Sequence, residues 1–122
     1  MQYIKYQQGD VILQQVSEAE FNKSNQISYQ TKDHKTRAVL AEGEGTGHYH
    51  AVYMEDMLNE AGITLCSNGQ YDKQNRGIVV TGAAVELRHE EHHTLTLEPG
   101  FYLQRIVKEY DHISGITRRV AD

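Results

Sequence analysis

Runs of strand length, rich in apolar and β-branched residues, recur along this chain and are separated by turn residues. The runs are residues 11–16, 37–41, 48–54, 63–66, 77–81, 83–89, 94–97 and 101–107. Short strands with turn signals roughly every 8–12 residues are typical of antiparallel β-sandwiches and barrels. Since 122 residues can bury one core but not two, we predict an all-β fold. The expected architecture is a small single-domain β-barrel or β-sandwich over residues 1–122.

Three segments interrupt the strand pattern. Residues 56–61 precede Gly62 and predict a short helix that ends at this glycine. The polar segment 22–37 predicts an exposed loop with at most one short strand, at residues 26–30. Residues 112–122 are also polar and predict a loosely packed tail.

The charge and composition of the chain exclude several classes of function. Twelve basic and 17 acidic side chains give a net charge of −5 with histidine neutral, so nucleic-acid binding is not expected. No apolar run is long enough to span a membrane, and residues 1–10 lack the apolar core of a signal peptide. The single cysteine, Cys66, lies in an apolar run and predicts a buried thiol in a reducing compartment. We therefore expect a cytoplasmic protein, in a bacterial or a phage-infected host cell.

Five of the seven histidines lie in two short segments. The first segment contains His48 and His50, and the second contains His89, Glu90, Glu91, His92 and His93. Alternate residues of a strand project from one face, so His48 and His50 are expected on the same face, about 7 Å apart. Strand alternation alone would pair His89 with His93, whereas a tight bend at Glu90 and Glu91 would instead return His92 towards His89. Imidazole is the commonest protein ligand of transition metals, and carboxylates often complete such sites. The two segments are therefore predicted to form one metal site.

The second segment also matches a signature of zinc peptidases. Residues 89–93 have the His-Glu-X-X-His spacing, in which Glu90 would act as the general base. That signature requires a helix, so that its two histidines lie one turn apart on the same face. Because residues 94–97 alternate as a strand and residues 98–100 form a turn, little room is left for a helix. The peptidase interpretation is therefore not favoured.

Residues 47–55 resemble the first metal motif of the cupins, a family of β-barrel proteins. The matching residues are Gly47, His48, His50 and Glu55, at slightly wider spacing than the motif has. The second cupin motif, Pro-X-Gly-X-X-His, is not met, because Pro99 adjoins Gly100 and no histidine follows before His112. The resemblance implies a cupin-like barrel that takes its remaining ligands from residues 89–93.

A wider resemblance joins several motifs along the chain. They are LAEGExTGHxH at residues 40–50, HEEH at 89–92, PGxY at 99–102 and EYD at 109–111. Together they resemble a family of small uncharacterised proteins of bacteria and their phages. The resemblance implies that His48, His50, His89 and His92 belong to the family pattern, whereas His93 stands where glycine is expected. A further resemblance, in residues 9–13 and 38–43, is to the GroES-type barrel and concerns the fold alone.

The predicted metal ligands come from both segments: His48, His50, His89, His92, Glu90 and Glu91. A ligand set rich in imidazole and without thiolate suits a divalent ion of zinc, iron, nickel or copper. The favoured function is a binding or accessory role built on this transition-metal site. Two alternatives stay open. One is a cupin-like, metal-dependent enzyme with an open coordination position. The other is a phage structural or accessory protein that acts through homo-oligomer or partner contacts.

Overall fold

Short β-strands make up nearly all the regular secondary structure in the described part of the chain. The computed structural model describes residues 3–42, 47–68, 76–111 and 116–119, with the backbone alone for 108–111 and 116–119. The strands are β1 (Lys5–Gln8), β2 (Val11–Val16), β3 (Ile27–Tyr29), β4 (Arg37–Glu42), β5 (Tyr49–Tyr53), β6 (Gly62–Ser67), β7 (Gly77–Thr81), β8 (Val85–Arg88), β9 (Leu95–Leu97), β10 (Gly100–Ile106), β11 (Lys108–Asp111) and β12 (Ile116–Arg119). The helical elements are α1 (Glu18–Lys23) and a 3-10 helix (Met54–Asp56). The all-β prediction is confirmed.

The strands form two antiparallel sheets and one separate hairpin. The larger sheet has the order β1-β2-β10-β7-β6-β3 and the smaller has the order β4-β5-β8-β9, while β11 pairs with β12. Both sheets contribute side chains to one apolar core, including Leu13, Ile78 and Tyr102 from the larger sheet and Leu40 and Leu87 from the smaller. Neither strand order closes on itself, so the fold is sandwich-like and not a closed barrel.

The helix α1 packs against β10 of the larger sheet. Its N-cap is Ser17, whose hydroxyl oxygen accepts the N–H of Glu20 at 3.1 Å. Phe21 is buried, and its ring lies 5.2 Å from that of Phe101 on β10. Neither described helix has the length and apolarity that crossing a membrane would require.

The hairpin of β1 and β2 directs polar side chains inward. Gly9 and Asp10 connect Gln8 to Val11, which pair across the hairpin. Gly9 has a φ of 57°, a conformation that glycine adopts without steric cost. Polar residues at such turns ordinarily face solvent, yet Gln8 and Asp10 are only 3% and 2% exposed. The turn therefore places the amide of Gln8 and the carboxylate of Asp10 in buried positions.

One prediction of local structure is wrong, and one strand was not predicted. Residues 56–61 form no helix; the 3-10 helix ends at Asp56, and Gly62 begins β6. Gly62 pairs with Thr81 of β7, so sheet pairing determines its conformation in place of a helix cap. The tail contains β12, which pairs with β11. The tail residues 112–115 and 120–122 lie outside the described residues.

Candidate metal centre

The two histidine segments meet where β5 begins and β8 ends. These strands are antiparallel neighbours, with Ala51 opposite Arg88. His50 precedes Ala51 and His89 follows Arg88, so the register puts the two histidines side by side. Their ring centroids are 4.3 Å apart. Strand pairing thus joins segments that are distant in the sequence.

Three side chains present metal-ligand atoms to one another in this region. One ligand atom each from His48, His89 and Glu90 lies within 4.8 Å of the other two. The ligands of a tetrahedral zinc ion stand about 3.3 Å apart, so closure on an ion requires each separation to shorten by at most about 1.5 Å. His89 is buried, His48 is half-buried and Glu90 is exposed, so the group runs from the protein interior to the solvent.

Four imidazole rings pack together here, with His89 at their centre. The ring centroid of His89 lies 4.3 Å from that of His50, 4.5 Å from that of His92 and 5.5 Å from that of His48. The rings of His50 and His92 are almost parallel, with 9° between their planes and 6.4 Å between their centroids. The chain bends at residues 90–92, directly after His89, and the ring of His92 lies beside that of His89.

The two carboxylates of the second segment are held differently. Glu90 Oε2 accepts the N–H of Tyr49 at 2.9 Å. Burial raises the pKa of Glu90, but the Tyr49 N–H, its own N–H and the nearby His89 and His48 lower it, and the result is a pKa below the ordinary value. Glu91 is exposed, and its Oε2 lies 3.8 Å from Nδ1 of His48. Glu90 is therefore the better placed carboxylate for a metal ion.

The hydrogen bonding of His89 determines how it can bind a metal. Its Nδ1 accepts the N–H of Glu91 at 3.0 Å, so in the neutral ring the proton is on Nε2. An ion at Nδ1 would displace this contact. An ion at Nε2 would require the other tautomer, in which Nδ1 carries the proton. In either case, metal binding must rearrange the bend that follows His89.

His50 is held by two residues that the sequence analysis did not select, Gln8 and Asp10. The Nε2 of Gln8 donates to the carbonyls of Leu87 and His93, both at 2.8 Å. These bonds orient the amide, so its Oε1 accepts the Nδ1–H of His50, at 2.8 Å. On the opposite side of the ring, His50 Nε2 lies 3.4 Å from Oδ1 of Asp10. The side chains of Asp10 and His50 are both fully buried.

Little in the sequence could have indicated Gln8 and Asp10. They flank Gly9 in a turn, where polar residues are the rule. Their contacts are far apart along the chain: 42 positions separate Gln8 from His50, and 79 separate it from Leu87. Only the packing of the hairpin across the sandwich reveals them.

Other residues of these segments lie away from the cluster. His93 is exposed, and its backbone carbonyl accepts from Gln8. Glu55, part of the cupin-like motif, is exposed and lies 3.6 Å from the guanidinium of Arg88. Residues 89–93 form no helix, so the geometry of the zinc-peptidase signature is not present. His34 is exposed in the turn before β4.

A small cleft adjoins the centre on the outer face of the smaller sheet. Its volume is about 190 Å³, and it is lined by Tyr49, Tyr53, Arg88, His89 and Glu90. The guanidinium of Arg88 lies 4.8 Å from the centroid of the Tyr53 ring and is bonded to Asp56. A ligand of a few heavy atoms could therefore reach His89 and Glu90 from this side.

This chain belongs to the family described as Domain of unknown function (DUF8820), whose family model matches residues 7–107. The match includes both histidine segments and also Gln8 and Asp10. It agrees with the expectation of an uncharacterised family. No curated protein and no solved structure matches the chain. The family description names no activity, so the function has to be argued from the geometry of the cluster.

Proposed function

We propose that this protein binds a divalent transition-metal ion at the histidine cluster and has a binding or accessory role. The observation that carries the proposal is the convergence of His48, His89 and Glu90 within 4.8 Å of one another. The packed rings of His50 and His92 supply further nitrogen ligands beside this group. Three to four imidazoles with one carboxylate are a donor set that suits zinc, iron, nickel or copper.

The number of available ligands favours binding over catalysis. A structural zinc site is usually closed by four protein ligands, whereas a catalytic site keeps one position for water or substrate. Here four imidazoles and Glu90 lie in one cluster, which is enough to complete a tetrahedral shell. An ion held in this way would tie the chain before β5 to the bend after β8, and would stabilise the fold.

Metal content is the direct test. The purified protein is stripped with a chelator, reloaded with Zn²⁺, dialysed, and measured by elemental analysis beside the variants His48→Ala and His89→Ala. We expect about one equivalent of zinc in the unchanged protein and a loss of most of it in both variants, because each variant removes a nitrogen ligand.

His34→Ala is the matched control, because His34 is an exposed histidine outside the cluster. It should retain the zinc of the unchanged protein. The proposal is wrong if the reloaded protein holds no stoichiometric zinc, or if His48→Ala and His89→Ala keep it fully.

A metal-dependent enzyme is the second candidate, and the cleft beside His89 and Glu90 favours it. Such an enzyme needs a coordination position that water or substrate can occupy. Protein loaded with Co²⁺ should reveal that position, because a small anion such as azide would bind there and change the visible spectrum. A spectrum that azide leaves unchanged supports the closed site of a binding protein.

A further inference from the structure

We propose that the cleft beside the metal centre binds a small carboxylate ligand, held between the metal ion and the guanidinium of Arg88. The inference rests on the proposed function, since the charge of the bound ion is part of what attracts the carboxylate. It goes beyond that function because it assigns a class of ligand to the cleft. The ligand needs no vacant coordination position, because the charge of the ion also acts through space.

The cleft and the group of metal-ligand atoms share two residues. His89 and Glu90 line the cleft, and each also presents one of the three ligand atoms that lie within 4.8 Å of one another. An ion bound to these two side chains therefore borders the cleft. Since the volume of the cleft is only about 190 Å³, a ligand that fills it has few heavy atoms and lies close to the ion.

Arg88 supplies the positive charge of the cleft wall. Its Nη2 bonds Asp56 and lies 3.6 Å from Oε1 of Glu55, and its side chain is 42% exposed. Among the described residues, no acceptor is found for its Nε or its Nη1. A guanidinium carries five N–H donors in a planar fork that fits the two oxygens of a carboxylate. Arg88 can therefore bind a further carboxylate without releasing Asp56.

Two tyrosines of β5 supply ring surfaces for the organic part of the ligand. Tyr49 and Tyr53 line the cleft together. The Tyr53 ring centroid lies 4.8 Å from the guanidinium carbon of Arg88, and Asp56 bonds the same guanidinium, so Arg88 is held in place before a ligand arrives. A side chain that is already ordered loses less conformational entropy on binding. The cleft therefore combines carboxylate recognition with a small aromatic surface.

The charges of the cleft predict that the carboxylate binds far more tightly when the metal is present. Without an ion, the charge of Glu90 cancels that of Arg88, and the nearby Glu55 and Asp56 add negative potential. A divalent ion adds two positive charges at the cleft wall, so an anion is then attracted. By thermodynamic linkage, the carboxylate and the metal raise each other's affinity by the same factor.

The first test titrates propionate into the zinc-loaded protein and measures binding by isothermal titration calorimetry. Propionamide is the matched control, because it has the same size and shape without the charge. We expect a Kd of about 1 mM for propionate, and binding at least about tenfold weaker for propionamide and for propionate with protein stripped by EDTA. Nitrate, a planar anion without an organic part, should bind at least about threefold more weakly than propionate, because it lacks the carbons that contact the tyrosine rings.

The second test compares Arg88→Gln with Arg105→Gln, both loaded with zinc. Arg105 is an exposed arginine on β10 of the larger sheet, so its replacement changes the net charge equally and leaves the cleft intact. Propionate affinity should fall at least about tenfold for Arg88→Gln and remain within about threefold for Arg105→Gln. Elemental analysis checks that both variants retain their zinc.

A measurement on the unchanged protein decides the question even if Arg88→Gln does not fold. Zinc affinity is measured by competition with a chromogenic chelator at constant ionic strength. For propionate Kd values of about 1 mM with zinc and about 10 mM without it, zinc affinity should increase about fivefold in about 10 mM propionate. The same concentration of propionamide should leave it unchanged.

The outcomes separate this inference from the proposed function. If the unchanged protein binds no zinc, both fail. If it binds zinc and loses it in His48→Ala and His89→Ala, but propionate binds no more tightly than propionamide, only the ligand assignment is wrong. The assignment is also wrong if zinc-loaded Arg88→Gln binds propionate as tightly as the unchanged protein, or if nitrate binds as tightly as propionate.

Discussion

Two glycines with the same backbone conformation and different surroundings provide the sharpest test of the fold. Gly82, between β7 and β8, has φ +78°, and Gly47, just before β5, has φ +72°. A Cβ added at Gly82 would lie 1.8 Å from the carbonyl oxygen of Glu60, whereas none of the atoms described around Gly47 lies within 4 Å of such a Cβ. Alanine at either position must adopt a left-handed conformation, but only at position 82 must it also displace the backbone.

The expected loss of stability in each variant follows from the cost of the left-handed conformation and the cost of the contact with Glu60. The left-handed conformation costs alanine about 1–2 kcal/mol, part of which is offset because alanine restricts the unfolded chain. Moving the loop at Glu60 adds about 1–3 kcal/mol, the usual cost of overpacking. Unfolding entropy of about 0.26 kcal/mol/K for 122 residues converts 1 kcal/mol into about 4 °C. Gly47→Ala should therefore lower Tm by about 4 °C, and Gly82→Ala by about 8–16 °C.

Thermal unfolding followed by circular dichroism measures both variants, and urea unfolding gives the corresponding free energies. The informative quantity is the difference in Tm between the two variants, because the cost of the left-handed conformation is common to both. Equal Tm values for Gly47→Ala and Gly82→Ala would refute the contact of the β7–β8 turn with the loop at Glu60.

Three further predictions address the metal, the core and the pH dependence. Zn²⁺ at about 100 times its Kd should raise the free energy of unfolding by about 2.7 kcal/mol and Tm by about 10 °C; calorimetry should show this gain for His34→Ala and not for His89→Ala. Leu87→Ala, which truncates a fully buried side chain, should cost about 2–5 kcal/mol in urea unfolding, whereas Leu58→Ala at an exposed position should cost less than about 0.5 kcal/mol. Burial raises the pKa of the Tyr102 hydroxyl above its ordinary value of 10.0, so the folded protein keeps a proton that the unfolded chain releases. The stability from this difference is complete below pH 10 and decreases above it, and Tyr102→Phe should weaken that decrease in urea unfolding at high pH.

The strands were predictable wherever a local pattern coincided with the final pairing. Residues 11–16 and 77–81 alternate or run apolar over the length of β2 and β7, and each is bounded by a glycine or a polar turn. The helix expected at 56–61 failed because Gly62 looks like a helix C-terminus in sequence, while the structure uses it to pair with Thr81. β12 was missed because its partner strand, and not its own polar sequence, makes it a strand.

The candidate centre was predictable in part. The residues that could be predicted differ from those that could not in whether local spacing alone reveals them. Both histidine segments could be identified because imidazoles at alternate strand positions and around a bend are visible as local spacing. The bend after His89 was also expected, and the ring of His92 lies beside that of His89. Which ligand atoms converge could not be predicted, because the β5–β8 register decides it. Gln8 and Asp10 depend on the packing of a third element, the β1–β2 hairpin.

Comparison of the buried polar side chains separates structural from functional roles. Leu40 lies at the irregularity between Val39 and Ala41, where the β4–β5 ladder shifts register, and its carbonyl accepts from Gln104 Nε2 at 2.9 Å. Gln104 thus provides a hydrogen-bond donor for the Leu40 carbonyl at this irregularity of the ladder. Satisfying a backbone carbonyl is an ordinary structural reason for a buried amide. The Nε2 of His50 lies 3.4 Å from Oδ1 of Asp10, and both side chains are fully buried. Replacing such a buried polar pair by well-packed hydrophobic residues is often neutral or stabilising, so its presence is weak evidence for a role in stability. Departures from the usual apolar core are expected at functional sites, and this pair lies beside the histidine cluster.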